Sequence, residues 1–150
     1  METCGHCMST PQSRNKQVVS RIIEEAINGG DFRCLDALFS DTLVEHDPHQ
    51  SANDSPLESF KEAVTLFRNA FPDQKTVIDA QIAEGDLVAT RWHMIGTHLG
   101  AFMGIPPSGN RVELSGIFFD RLEGGRLRET WANYDLYGLM QQISTRPTDF

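Results

Sequence analysis

Apolar residues near the start of the chain recur at intervals of three and four, which is the spacing of one face of an amphipathic helix. This pattern predicts a first helix over residues 18–27, ended by an Asn-Gly-Gly turn at 28–30. A second, short helix is expected after Asp31 as its N-cap, with Leu35 and Leu38 buried against the first helix. The two helices should therefore pack as a hairpin.

The third predicted helix has a well-defined start signal. Ser55 suits the N-cap, Pro56 suits the first helical position, and Glu58 completes a capping box. Phenylalanine and valine side chains then repeat on one face until Pro72, which should end the helix. Three helices are therefore expected in the first half of the chain.

From residue 74 onward the apolar period changes to two, which is typical of half-buried strands. A short strand at 42–45 comes earlier, and the loop at 101–109 holds two prolines and two glycines, as expected for a lid. A last helix is expected at 136–143. The strands predicted from the alternation are 74–83, 87–98, 110–122 and 126–135.

Helices followed by a meander of long antiparallel strands indicate the α+β class. Such a sheet must curl to bury one face against the three N-terminal helices, and its concave side then forms a pocket. One domain is expected over residues 15–143, with a flexible N-terminal tail at 1–14 and a C-terminal tail at 144–150.

Composition excludes several classes of function. Hydrophobic residues make up 39% of the 150 residues, and no apolar run approaches the roughly 18 residues of a membrane span. The net charge of −8, with 13 scattered Lys and Arg residues, argues against a nucleic-acid partner. The N-terminus lacks the apolar core of a signal peptide, so a cytoplasmic location is expected.

No metal or cofactor is predicted. Cys4 and Cys7 form a CxxC segment, but a structural zinc site needs four ligands and nothing downstream completes it. This segment is therefore assigned to the N-terminal tail. The His-Asp-Pro-His segment at 46–49 lacks the spacing of a known metal site, and the chain has no dinucleotide fingerprint or phosphate loop.

Several short motifs, in a fixed order over residues 15–143, resemble those of the SnoaL-like polyketide cyclase family, also called ester cyclases, which has the nuclear-transport-factor-like cone fold. The motifs that carry the resemblance are Phe71-Pro72-Asp73, Gly85-Asp86, Arg91-Trp92, Gly96-Thr97-His98, Gly104-Ile105-Pro106-Pro107-Ser108-Gly109, Trp131 through Asp135, Gly138-Leu139 and Gln142.

The resemblance implies a cone-shaped α+β barrel whose helices cap a strongly curved antiparallel sheet, often as a homodimer through the outer face of that sheet. It also implies a cofactor-free aldol ring closure on a polyketide methyl ester, with an aspartate as acid/base. That aspartate matches Asp135 in this sequence. The implied partner is a small, hydrophobic, oxygenated substrate.

In a regular last strand, Glu129, Trp131, Asn133 and Asp135 point to one face, which is chemically the richer of the two. One carboxylate serves an aldol closure as base and then as acid, and burial beside Trp131 is expected to raise the pKa of Asp135. A structural alternative stays open, since Asp is also a common helix N-cap. Glu129 either lines the pocket or pairs with Arg91 or Arg121.

His93 and His98 are the candidate catalytic partners of Asp135, because an imidazole donates a hydrogen bond to a carbonyl oxygen. Each also has the simpler interpretation of a buried structural histidine. The two lie on opposite strand parities unless a bulge at Gly96 resets the alternation. The family's catalytic histidine is therefore not matched to either one alone.

The segment at His46-Asp47-Pro48 is a second focus. Ketosteroid isomerases of this fold carry their base in a similar Glu-Asp-Pro segment, with one residue fewer. Asp47 is thus the candidate base for an isomerase, and His46 a pocket residue for a cyclase. The remaining candidates for substrate contact are Trp92, Phe102, Met103 and Phe119.

Three functions follow as hypotheses. The first is a cofactor-independent cyclase that uses Asp135, and the second is a steroid-type isomerase that uses Asp47. The third is a pocket protein without catalysis, because one fold serves many functions.

Overall fold

The computed structural model of the protein describes residues 10–48 and 55–145. The Cys4 and Cys7 segment and the end of the chain after Thr145 lie outside the described residues. The elements, in chain order, are α1 (Pro11–Arg21), its π-helical continuation (Ile22–Asn28), α2 (Leu35–Leu38), β1 (Phe39–His46), α3 (Pro56–Ala70), β2 (Lys75–Glu84), β3 (Leu87–Thr97), β4 (Arg111–Glu123), β5 (Arg126–Tyr134) and α4 (Leu136–Ser144).

The helices follow the sequence signals with two differences. Thr10 caps α1 by accepting a hydrogen bond from the Ser13 N–H at 3.1 Å, so the helix begins inside the segment 1–14 that was expected to be a tail. Asp31 does not cap α2, because its carboxylate is occupied by the Arg33 backbone and guanidinium. Ser55 caps α3 as predicted, by accepting from the Glu58 N–H.

The five strands form one sheet in the order β1-β5-β4-β3-β2. The α+β class is confirmed, and β2 to β5 pair antiparallel as expected. The expectation of a wholly antiparallel sheet is wrong, because β1 pairs parallel to β5. The sheet is curled and unclosed, since β1 and β2 are its two edges, so it is not a closed barrel. Strand β1 also separates α3 from the first two helices.

Two faces of the sheet have different surroundings. The inner face is covered by the helices and carries the even-numbered residues of β3 and β4, among them Val88, Trp92 and Leu114, all buried. The outer face carries the odd-numbered residues, and Ile117 and Phe119 are exposed there. Apolar packing between α1, the π-helical segment and the inner face holds the helices over the sheet.

A β-bulge sets which residues of β5 face inward. Arg121 pairs with Glu129 and Leu122 with Leu127, so Arg128 is an extra residue in the β4–β5 ladder. The alternation resumes after the bulge with Thr130 inside and Glu129 outside.

Polar contacts fix the end of the first helix over the sheet. Arg68 of α3 and Gln74 both donate to the Ile27 carbonyl. The Asn28 side-chain amide donates to the Thr76 carbonyl and accepts from the Thr76 N–H. These contacts satisfy carbonyl groups that a helix end leaves unpaired. No helix among residues 10–48 and 55–145 is long and apolar enough to cross a membrane.

Candidate active site

A cavity lies between the helices and the inner face of the sheet. Its volume, counted as the space open to the centres of water molecules, is about 140 Å³. One water needs only ~10–15 Å³ by that measure, so the cavity has room for an organic ligand. Its wall is mostly apolar, and the polar or charged side chains in it are Glu45, Asp47, Arg68, Gln74, Thr76, Asp120, Thr130 and Tyr134.

Asp120 is the most unusual group in the cavity wall. It lies on β4 between the buried Val88 of β3 and Thr130 of β5, and only 4% of its surface is exposed. Burial raises the pKa of Asp120 to about 7, because an apolar environment disfavours the carboxylate. The Thr130 hydroxyl donates to Asp120 Oδ1 at 2.5 Å and opposes part of this rise. Near neutral pH, this carboxyl is therefore suited to both give and take a proton.

Tyr134 and Asp47 form a second polar pair in the wall. The Tyr134 hydroxyl donates to Asp47 Oδ2 at 3.2 Å, which joins the end of β5 to the residue after β1. Burial raises the pKa of Tyr134, and the negative charges of Asp47 and Glu45 add to the effect. The phenol therefore keeps its proton at neutral pH and remains a hydrogen-bond donor.

Trp92 belongs both to the cavity wall and to the hydrophobic core. Its indole packs against Phe118 at 4.9 Å and against Tyr134 at 6.3 Å between ring centroids. Gly116 lies beneath it, and a Cβ there would come within 2.6 Å of Trp92 Cζ2 and 2.8 Å of the Asn133 carbonyl oxygen. The absence of a side chain at Gly116 therefore leaves the room that the indole of Trp92 occupies.

Comparison with known proteins assigns the chain to a family. The model of the SnoaL-like polyketide cyclase family matches residues 17–143, most of the chain. The protein is a member of the SnoaL-like polyketide cyclase family. No curated protein sequence matches the chain.

Solved structures agree with this SnoaL-like assignment. The chain is 28% identical to IdmH from Streptomyces antibioticus, provisionally assigned as a polyketide cyclase, with a TM-score of 0.77 over 87% of this chain and 99% of that one. A protein from Acidithiobacillus ferrooxidans with the same provisional assignment is also 28% identical, with a TM-score of 0.77 and coverage of 89% and 96%. AclR from Streptomyces galilaeus, provisionally assigned as a hydroxylase, shares the fold at 24% identity, a TM-score of 0.78 and coverage of 91% and 88%.

Of the residues expected to contact substrate, Asp47 and Trp92 lie in the cavity wall. Asp135 does not. It is exposed and caps α4, with Oδ1 accepting from the Gly138 N–H at 2.9 Å. The expectation that Asp135 is buried in the pocket is therefore corrected, and the structural alternative, the helix cap, describes its position.

A second group of expected pocket residues lies on the outer face, because the bulge at Arg128 and the helices place the opposite parity inside. Glu129 pairs there with Arg121 at 3.0 Å and with His46 at 3.0 Å. Trp131 is stacked between these groups, with the His46 ring parallel to it at 5.0 Å. The correction applies to His46, Phe119, Glu129, Trp131 and Asn133.

The two histidines expected to assist catalysis also lie outside the cavity wall. His93 is on the outer face, where its Nδ1 is 2.9 Å from Asp79. His98 is fully buried, and its Nδ1 accepts from the Ser108 N–H at 3.1 Å, which fastens the loop at 99–109 to β3. A histidine that accepts a backbone N–H in this way serves to hold the loop.

The loop expected to act as a lid is anchored in the core. Phe102 is 1% exposed and packs against Phe67 and Phe71, while Met103 is 56% exposed with φ of 47°. Neither of these expected substrate contacts lies in the cavity wall. Their correction follows from the Phe102–Ile105 bridge, which turns Phe102 inward and Met103 to the surface.

The candidates predicted from the sequence do not include Glu45, Asp120, Thr130 or Tyr134, which lie in the cavity wall. One signal for Asp120 was present. The inward positions of β4 read Val112, Leu114, Gly116, Phe118, Asp120 and Leu122, so a single charge interrupts an apolar alternation. A lone carboxylate on the apolar face of a strand is costly unless it is paired, and such groups often mark functional sites.

Proposed function

We propose that the protein is a cofactor-independent acid/base enzyme that moves a proton beside a carbonyl group of an apolar, oxygenated substrate, with aldol ring closure of a polyketide-like molecule as its reaction. The observation that carries the proposal is the buried carboxyl of Asp120 in the cavity wall, with a pKa of about 7. Membership of the SnoaL-like family supports the choice of reaction.

Asp120 acts as base and then as acid. Its carboxylate takes a proton from the carbon beside a carbonyl, and the resulting enolate attacks a second carbonyl carbon and forms the new C–C bond. The alkoxide produced by that attack takes the proton back from Asp120, so the reaction needs no other reagent. A group with a pKa near the working pH suits both transfers.

Tyr134 supplies a hydrogen bond to the substrate in this mechanism. Its hydroxyl is protonated and lies in the wall beside Asp47. A substrate oxygen that replaces Asp47 as its acceptor gains a donor in a largely apolar cavity, where hydrogen bonds to developing charge are strong. The apolar wall around Trp92 excludes water and holds the carbon skeleton.

The test compares the two candidate acid/base aspartates: the structure favours Asp120, and the family resemblance indicates Asp135. Asp120→Asn should lower kcat on cyclisable polyketide methyl esters by about 100- to 10,000-fold, because it removes the proton-transferring group. Asp135→Asn is the matched control, since Asn also caps helices and only the acid is lost. It should keep kcat within a few-fold of the wild-type value.

The opposite ranking would overturn the assignment of Asp120. Loss of activity in Asp135→Asn alone would return the acid/base role to the position that the family resemblance indicates. Tight binding of the esters with no turnover by the wild-type protein would support a pocket protein without catalysis.

A second candidate is a steroid-type isomerase, favoured by the position of Asp47. This carboxylate lines the cavity and accepts from Tyr134, so a base and a hydrogen-bond donor are adjacent. Asp47→Asn should then abolish isomerisation of a β,γ-unsaturated ketosteroid while leaving ester cyclisation largely intact. Equal loss of both activities would remove the reason to separate the two functions.

We further propose that two copies of the chain associate through the outer face of the sheet. Cross-strand pairing places one row of mostly apolar side chains across all five strands of that face. The row consists of Ile82, Ala89, Phe119, Trp131 and His46, and Ile82 is 72% exposed. Exposed apolar rows of this kind are typical of interaction surfaces. A cytoplasmic location and the absence of a cofactor stay predictions.

A further inference from the structure

The inner face of the sheet places Asp120 in a transverse row of cross-strand neighbours. Cross-strand pairing joins Val88 of β3 to Asp120, Asp120 to Thr130 of β5, and Thr130 to Glu45 of β1. Thr130 is thus held between two paired strands, and its branched Cβ restricts the direction of its hydroxyl. The hydroxyl beside Asp120 is therefore rigidly placed.

The two oxygens of Asp120 have different surroundings. Oδ1 accepts the Thr130 hydroxyl at 2.5 Å. Oδ2 receives no hydrogen bond from the described residues. Among these residues, the side-chain atoms that are both fully enclosed and without a hydrogen-bond partner are Trp92 Nε1 and His98 Nε2, so Oδ2 is not fully enclosed. Oδ2 is therefore the oxygen that remains open to the cavity.

We propose that Thr130 is a positioning residue that holds Oδ1 of Asp120 as a permanent acceptor and so makes Oδ2 the oxygen that exchanges protons with the substrate. A threonine hydroxyl has one proton to donate. While that proton is given to Oδ1, the acidic proton of Asp120 must sit on Oδ2, where the cavity is. This inference rests on the proposed function of Asp120.

Thr130 also adjusts the acidity of Asp120. A hydrogen bond to the carboxylate favours the charged form, so Thr130 lowers the pKa of Asp120 while burial raises it. Val88 of β3, the cross-strand neighbour of Asp120, is apolar, and the helices contribute apolar side chains such as Val19 and Ile23 to the same cavity wall. The charged or titratable groups elsewhere in the cavity wall are Glu45, Asp47, Arg68 and Tyr134.

The experiment titrates Asp120 in the full chain without substrate, by the ¹³C shift of its carboxyl carbon. The wild-type midpoint should lie at about 7. Thr130→Val, which keeps the shape and removes the hydroxyl, should raise the midpoint by about one to two pH units, because a hydrogen bond to a charged group is lost. Thr130→Ser should restore the wild-type midpoint.

The control is Thr90→Val on β3. Thr90 is a fully buried threonine whose hydroxyl accepts from the Gln81 side-chain amide at 3.1 Å. This variant loses a buried hydrogen bond without touching Asp120, so its titration should match the wild type. An unchanged midpoint in Thr130→Val, or an equal shift in Thr90→Val, would overturn the proposal.

Catalysis separates this inference from the proposed function. In Thr130→Val the acidic limb of the rate profile should move to higher pH with the titration, kcat should fall, and Thr130→Ser should recover both. If the titration shifts as expected and Asp120→Asn retains full turnover, the acid/base function fails while Thr130 still controls the protonation of Asp120. If Asp120→Asn abolishes turnover and Thr130→Val changes neither profile, only the positioning role fails.

Discussion

The inner and outer faces of strands β4 and β5 are built from similar residue types, but the carboxylates on the two faces have different surroundings. Inside, Asp120 is hydrogen-bonded to Thr130 in a mostly apolar cavity, and burial raises its pKa to about 7. Outside, Glu129 is shared between Arg121 and His46 at the surface. Burial without a cationic partner raises the pKa of a carboxyl group, whereas a carboxylate with two paired side chains ties neighbouring strands together.

The two faces have similar aromatic residues, so the residue types alone do not distinguish them. Adjacent residues Phe118 and Phe119 point to opposite sides, and both are aromatic. Aromatic content therefore does not identify the cavity wall. The deciding features are the helices that cover one face and the extra residue at Arg128, which sets the parity of β5.

The largest expected difference concerns pH. The folded protein keeps a proton on Asp120 from pH 4 to about 7, where the unfolded chain has lost it, so the free energy of unfolding should fall by on the order of 4 kcal/mol as pH rises through this window. Asp120→Asn should remove this slope. Urea unfolding of both proteins should agree near pH 4 and diverge by pH 8, with the variant more stable. Parallel curves would show that Asp120 is not buried as described.

Substitutions at Gly116 and Ser115, which are neighbours on β4, compare the packed inner face with the exposed outer face. Gly116→Ala should destabilise the fold by about 3 kcal/mol, because the new Cβ meets Trp92 and the Asn133 backbone at under 3.0 Å. Ser115→Ala on the exposed outer side should change stability by less than ~0.5 kcal/mol. Chemical denaturation measures both. Equal effects would mean that the inner face adapts as freely as the outer one.

Phe119→Lys examines the proposed dimer surface. A charge in the centre of the apolar row should weaken self-association by about 30-fold, as expected for an interface residue worth ~2 kcal/mol. Met103→Lys is the control, because Met103 is an exposed apolar residue away from the sheet. Sedimentation equilibrium should show dissociation only for the first variant. A wild-type protein that is monomeric at every concentration would contradict the proposal.

The smallest effect is expected at Asp135. Asp135→Ala removes the hydrogen bond to the Gly138 N–H and should lower the free energy of unfolding by about 1 kcal/mol, while Asp135→Asn should leave it nearly unchanged. Thermal unfolding followed by circular dichroism distinguishes the two. A similar loss in both variants would indicate that the charge, and not the cap, matters at this position.

The sequence alone predicts where the helices and strands lie, but it does not predict which face of each strand is buried. Helix caps at Ser55 and the change of period near residue 74 are local signals, and the structure follows both. The side on which β5 presents Trp131 depends on the bulge at Arg128 and on helices far away in sequence. Alternation alone identifies two faces and does not say which one is buried.

Residues of the candidate site could be predicted from the sequence only where a recognisable motif also lies at an inward position of the fold. Asp47 and Trp92, which the sequence indicates as pocket residues, line the cavity, whereas Asp135, which the family resemblance indicates, lies at a helix start. Asp120 stood in the sequence as a single charge among inward apolar positions. Its environment becomes visible only when the strands pair and bring Val88 and Thr130 beside it.

The parallel pairing of β1 with β5 has a consequence for how the cavity assembles. Strands β2 to β5 follow one another directly along the chain and pair as neighbours, whereas β1 is separated from its partner β5 by most of the sequence. Pairings between distant segments form late, because a long loop must close first. The edge that carries Glu45 and leads to Asp47 is therefore expected to dock last in folding and to exchange its amide hydrogens first. A substrate that bridges Asp47 and Asp120 would link this late edge to the early centre of the sheet and slow its opening.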